Sequence, residues 1–146
     1  MRFMMLMYPN EQAEQGALPD PKTFEAMLKY NDALSKAGVL LSLDGLHPSS
    51  KGARITWNAE GKPSVTDGPF TEVKEVIGGF WMIQVKSREE AIEWAKRVPA
   101  HDARKVELRQ VFEMSDFPAD VQKVAEGPAG QRVRASIGRA EKQTGS

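Results

Sequence analysis

The chain has 146 residues, 40% of them hydrophobic and 27% charged, which is the size and make-up of one globular domain with a proper core rather than a disordered chain. Twenty Lys and Arg balance twenty Asp and Glu, so no basic surplus exists to neutralise a nucleic-acid backbone, and no nucleic-acid partner is expected. With no cysteine, disulfides, iron–sulfur clusters, thiolate zinc sites and cysteine nucleophiles are excluded together.

Residues 2–8 (RFMMLMY) form a short apolar run ended by Pro9 and Asn10, a strand buried on both faces. After a polar loop, Asp20 and Pro21 supply an N-cap and a first-turn proline, and Phe24, Met27, Leu28 and Leu34 recur at helical spacing up to Gly38. Val39–Leu43 is a second strand, and 53–57 with 62–66 makes a hairpin around Glu60 and Gly61. Gly78 and Gly79 lead into a third strand, FWMIQVK at 80–86. Ser87 and Glu90 then have the spacing of a capping box for a second helix carrying Ala91, Trp94, Ala95 and Val98 and ending before Pro99. A last strand, 105–112, sets Val106 and Leu108 on one face and Glu107 and Arg109 on the other.

This order predicts an α+β, ferredoxin-like split βαβ fold with an inserted β-hairpin. Both helices cover one sheet face. The other face must still take Trp81, Ile83 and Val85, or their neighbours Phe80 and Met82. A second copy packed face to face would cover it, giving a homodimer of the dimeric α/β-barrel kind. This domain is expected over 1–113. Residues 114–146 are expected to hold a short helix at 116–126, then a flexible basic tail, with four basic residues and one acidic from 127 on.

The densest cluster of unusual residues is VTDGPFTEVKEVIGGFWMIQV at 65–85. With AIEWAKRVP at 91–99, VELR at 106–109 and GLHPSSKGARI at 45–55, it resembles the DGPF group of YCII-related proteins over residues 1–113. The resemblance implies a dimeric α/β barrel. It also implies an accessory or regulatory role linked to extracytoplasmic-function sigma factors, and no assigned reaction. Related YCII enzymes use a His/Asp pair with the histidine in the first helix, but here that helix reads Lys29, Tyr30, Asn31, so the mechanism does not carry over.

Asp67-Gly68-Pro69 reads as a turn in which the aspartate accepts backbone hydrogen bonds. Its functional reading makes Asp67 a carboxylate base, with Glu72, Lys74 and Glu75 either a solvated face or the charged rim of a pocket. Glu107 and Arg109 share a strand face as an ion pair, or as a clamp in which Arg109 forks onto a carboxylate ligand. His47 could pair with Asp44 as acid and base, or stand at the surface beside Pro48; His101 is expected to be exposed. With no third ligand in view, neither a metal nor any other cofactor is expected. Two functions remain open, a small-molecule-binding module and an acid/base enzyme acting on a polar or carboxylated metabolite. The ligand is expected between the two sheets, bounded by the 67–75 loop, Arg109 and the aromatic third strand. No run reaches the roughly 20 apolar residues of a membrane span or forms a signal-peptide core, and a cytoplasmic protein is expected.

Overall fold

The structure, a computed structural model, describes residues 1–99 and 103–144. It divides into two compact units, Met1–Val111 and Phe112–Ser146.

The first unit is built on a four-stranded antiparallel sheet of β1 (Arg2–Pro9), β2 (Leu40–Gly45), β5 (Gly79–Gln84) and β6 (Ala103–Gln110), in the order β2-β5-β1-β6. This is the strand order of a split βαβ fold, with β5 inserted between the two strands joined through the first long helix. That helix, α2 (Pro21–Lys36), begins as the sequence dictates, with the Asp20 carboxylate accepting from the Thr23 N–H at 2.7 Å and proline at the first helical position. The second, α3 (Arg88–Lys96), is capped by Ser87, whose Oγ accepts from the Glu90 N–H. Glu90 reaches back to the Lys86 N–H rather than to that of Ser87, so the reciprocal bond lands one residue early. A four-residue helix, α1 (Glu11–Glu14), capped by the Asn10 side chain, occupies what reads in sequence as polar loop.

Register decides which side chains meet the helices. Met5 pairs with Trp81 and with Leu108, and Phe3 with Ile83. Phe3, Met5, Trp81 and Ile83 form the core with Tyr30, Leu34, Val39, Val85, Ala91 and Val98, and Leu108 packs against it half-buried. The intervening residues Met4, Leu6, Phe80 and Met82 therefore lie on the opposite face, where they are half-buried. Of the two sets left open by the sequence, Phe80 and Met82 take the open face, Trp81 and Ile83 the core.

Tyr30 is 5% exposed. It meets Trp81 edge to face at 5.7 Å, and its hydroxyl donates to the Trp94 carbonyl at 2.9 Å. Burial pushes the phenol up from 10.0 to about 12, against a smaller lowering by Arg97. Because the folded value lies above the unfolded one, the neutral phenol stabilises the fold below about pH 10, and that stability is lost as pH rises towards about 12. Urea melts at pH 8 and pH 11 should show a larger alkaline loss for the wild type than for Tyr30→Phe. Equal losses would mean that Tyr30 is not the titrating group. At neutral pH the same substitution should cost about 1 kcal/mol for the hydrogen bond.

A separate hairpin, β3 (Ala53–Trp57) with β4 (Pro63–Asp67), stands between β2 and β5 in sequence, with Ile55 opposite Val65. The second unit contains α4 (Ala119–Ala125) and α5 (Pro128–Thr144). Residues Pro128–Thr144, read in sequence as a tail, are helical. Gly130 is there for contact, not freedom, since a Cβ on it would lie 1.8 Å from the Ala125 carbonyl oxygen. Arg134 and Gln131 donate to the Ala125 and Glu126 carbonyls and so cap the end of α4. Among the described residues, no helix is long and apolar enough to cross a membrane.

Candidate functional site

The segment 67–70 is a packed joint. Asp67 is exposed at the end of β4, and its carboxylate takes no hydrogen bond from the described residues. The expectation that it holds the turn is therefore corrected. The turn is held by its own backbone, the Gly68 N–H donating to the Gly52 carbonyl at 3.0 Å and the Phe70 N–H to Ser49 Oγ at 3.1 Å. The Gly68–Pro69 peptide is cis. A Cβ at Gly68 would lie 1.7 Å from the Ser49 carbonyl oxygen, so only glycine lets the two backbones meet. Arg54 of β3 stacks over the Phe70 ring at 3.8 Å.

Ser49 is itself held from below. Its N–H donates to Glu14 Oε1 at 2.9 Å, and its hydroxyl donates to the same oxygen. Glu14 and Ser49 are 8% and 7% exposed. One hydroxyl thus accepts from the 67–70 loop and donates to a carboxylate on α1. Neither residue was singled out from the sequence; Glu14 stands in a polar stretch, EQAE, whose one apolar residue is Ala13 and which is too short to show a helical period.

Glu14 lines a cleft of about 470 Å³ between the end of β1, α1, the start of α2 and the 45–48 loop. Met7, Met27, Leu18 and Leu46 give it an apolar surface, and Thr23 and His47 add polar groups. Gly78 closes its end, donating to the Met7 carbonyl and accepting from Leu46. A Cβ at Gly78 would lie 2.9 Å from Pro9, so this glycine serves close packing, not flexibility. A second hollow, of about 440 Å³ beside α3 and β6, has Lys96 and Arg104 in its lining. Both are already paired, with Glu93 at 2.7 Å and Glu11 at 2.9 Å.

The residues named from the sequence do not converge. His47 lines the cleft. Asp44 lies on β2 opposite Phe80, exposed and outside the cleft lining, so the two form no pair. Glu72, Lys74 and Glu75 are exposed around a 3₁₀ turn. Glu107 and Arg109 lie on the open sheet face as an exposed ion pair of 3.5 Å, the plainer of their two readings. His101 lies outside the described residues. Tyr30 and Asn31 have structural work, Asn31 accepting from Trp81 Nε1 at 2.8 Å. Among the described residues, no group of three or more His, Asp or Glu is placed to hold a metal ion.

The family model for the YCII-related domain matches residues 1–115. An uncharacterized protein, R00369, of Rhizobium meliloti (strain 1021) is 38% identical over 61 residues, 42% of this chain. The chain spans about half the length of that relative, 48%. Among solved structures, the 5-chloro-2-hydroxyhydroquinone dehydrochlorinase of Burkholderia phenoliruptrix AC1100, in complex with 2,5-dihydroxybenzoquinone, aligns over 81% of this chain and all of its own. The identity is 15% and the TM-score 0.46, too distant to bear on chemistry.

Proposed function

The chain belongs to the YCII-related domain family, and from that premise we propose that it is a small-molecule-binding protein with an accessory or regulatory role, its ligand held in the cleft beside α1. One observation carries this reading. The cleft combines an apolar surface with a few placed polar groups, and its volume falls within the roughly 300–1,000 Å³ of small-molecule sites. It lies on the helix-bearing side of the sheet, not in the inter-sheet location expected from sequence. The second reading, an acid/base enzyme, is favoured by His47 in the cleft lining, since imidazole is the commonest general acid or base. Asp67 and Arg109 lie outside that lining, so the enzyme reading rests on His47.

A thermal-shift screen of uncharged, cationic and anionic metabolites tests the site, because a ligand at 100 times its Kd stabilises the folded state by about 2.7 kcal/mol. Ala17 lines the cleft and is exposed. Ala17→Trp should fill the space and abolish the shift, whereas His47→Gln should leave binding intact and remove any turnover. Hits indifferent to Ala17→Trp would move the site elsewhere.

The partner we propose is a second copy of the chain, seated on the open sheet face. Its support is the arrangement of that face, with Met4, Leu6, Phe80 and Met82 on the two central strands and Lys105, Glu107, Arg109 and Asp44 on the edge strands. An apolar centre inside a polar rim is the anatomy of a protein interface.

A further inference from the structure

The cleft wall holds an acidic group with one oxygen in use and one to spare. Both bonds from Ser49 end on Glu14 Oε1. Oε2 takes no hydrogen bond from the described residues, yet none of their buried side-chain oxygens is without a partner. Oε2 is therefore not sealed in the protein, and Glu14 stands in the cleft lining. Among the described residues, no Lys or Arg stands in that lining. The Glu14 carboxylate, in the wall of a cleft whose described lining holds no Lys or Arg, favours a positively charged ligand and disfavours a carboxylated one, one of the alternatives raised from sequence.

We propose that Glu14 Oε2 anchors a protonated amine on a ligand whose apolar part lies against Met7, Met27 and Leu46, and that the same carboxylate links occupancy of the cleft to the 67–70 loop. The link is a chain of three bonded groups. An ammonium at Oε2 draws on the carboxylate whose Oε1 holds Ser49, and the Ser49 hydroxyl accepts the Phe70 N–H. Hydrogen bonds in such a chain polarise one another, so a change at Oε2 reaches the Phe70 amide without moving the backbone. This inference rests on the cleft being the binding site.

The test is an NMR titration of the full chain at pH 7 with n-hexylamine, hexanol and hexanoate. Hexylammonium should shift the amides of Met7, Thr23 and Leu46, and of Phe70, and should bind at least tenfold more tightly than hexanol, with hexanoate weaker still. Glu14→Gln keeps an oxygen for Ser49 but places an N–H₂ where Oε2 stood. It should weaken hexylammonium at least tenfold and leave hexanol unchanged, and an unchanged melting temperature checks its fold. If all three probes bind the cleft alike, or Glu14→Gln is neutral for the amine, the anchor is overturned while the cleft stands. If hexylammonium binds but the Phe70 amide does not respond, the link to the loop is overturned. If no probe perturbs the cleft amides, the binding site itself is wrong and the anchor falls with it.

Discussion

Gly68→Ala should destabilise the protein by about 3 kcal/mol or more, at the upper end for an overpacked site. The added methyl would lie 1.7 Å from the Ser49 carbonyl oxygen and 2.5 Å from its carbon. Neither atom is the end of a flexible side chain, so the whole joint must open. Opening it costs the Gly68–Gly52 and Phe70–Ser49 hydrogen bonds and exposes Glu14 beneath. Asp67→Ala, one residue away, should stay within about 0.5 kcal/mol, the usual range for a surface change without a partner. Urea melts of the two variants beside wild type decide the matter. A mild Gly68→Ala would mean that the loop does not sit on Ser49, and a costly Asp67→Ala would restore the carboxylate as the element that holds the turn.

Phe80→Asp should turn a dimer into a monomer. Light scattering at micromolar concentration should give twice the monomer mass for the wild type, through an interface above about 1,000 Å². Phe80 is half-buried at the centre of the open face, beside Met4, Leu6 and Met82. In a two-fold interface the new carboxylate is introduced twice. At about 3 kcal/mol for each unpaired buried charge, dimer dissociation should be eased about 10⁴-fold. Since the residue points away from the core, the circular dichroism of the monomer should match the wild type. A monomeric wild-type protein, or a dimer indifferent to the change, would mean that this face is not the contact.

The helix starts were legible because capping is a local affair. Asp20 reaches Thr23 and Ser87 reaches Glu90, each three residues on, and Pro21 and the apolar spacing complete the signal. The hairpin was legible for the same reason, since its strands are close neighbours in sequence. The strand alternation at 80–85 separated two sets of side chains, but not which set was inside. Only pairing of Met5 with Trp81, two segments 76 positions apart, put Trp81 on the helix side and Phe80 outside. The helix at Pro128–Thr144 was not legible because glycine content reads as freedom, whereas Gly130 answers to a backbone contact with Ala125.

The family pattern at 65–85 marked a segment that the structure packs tightly through residues other than its aspartate. Its aspartate drew the functional reading, while its glycine and phenylalanine make the contacts that matter, to a serine 19 and 21 residues earlier. Glu14 lies another 35 residues before that serine, on a helix of four residues. The sequence by itself determined the strands and the two long helices of the first unit, their order and the split βαβ class, since caps, spacing and alternation act over a few residues. The tertiary structure alone decided the open face, the seat of the 67–70 loop and the Glu14 cleft. These depend on contacts between segments far apart in the chain, which local spacing does not encode.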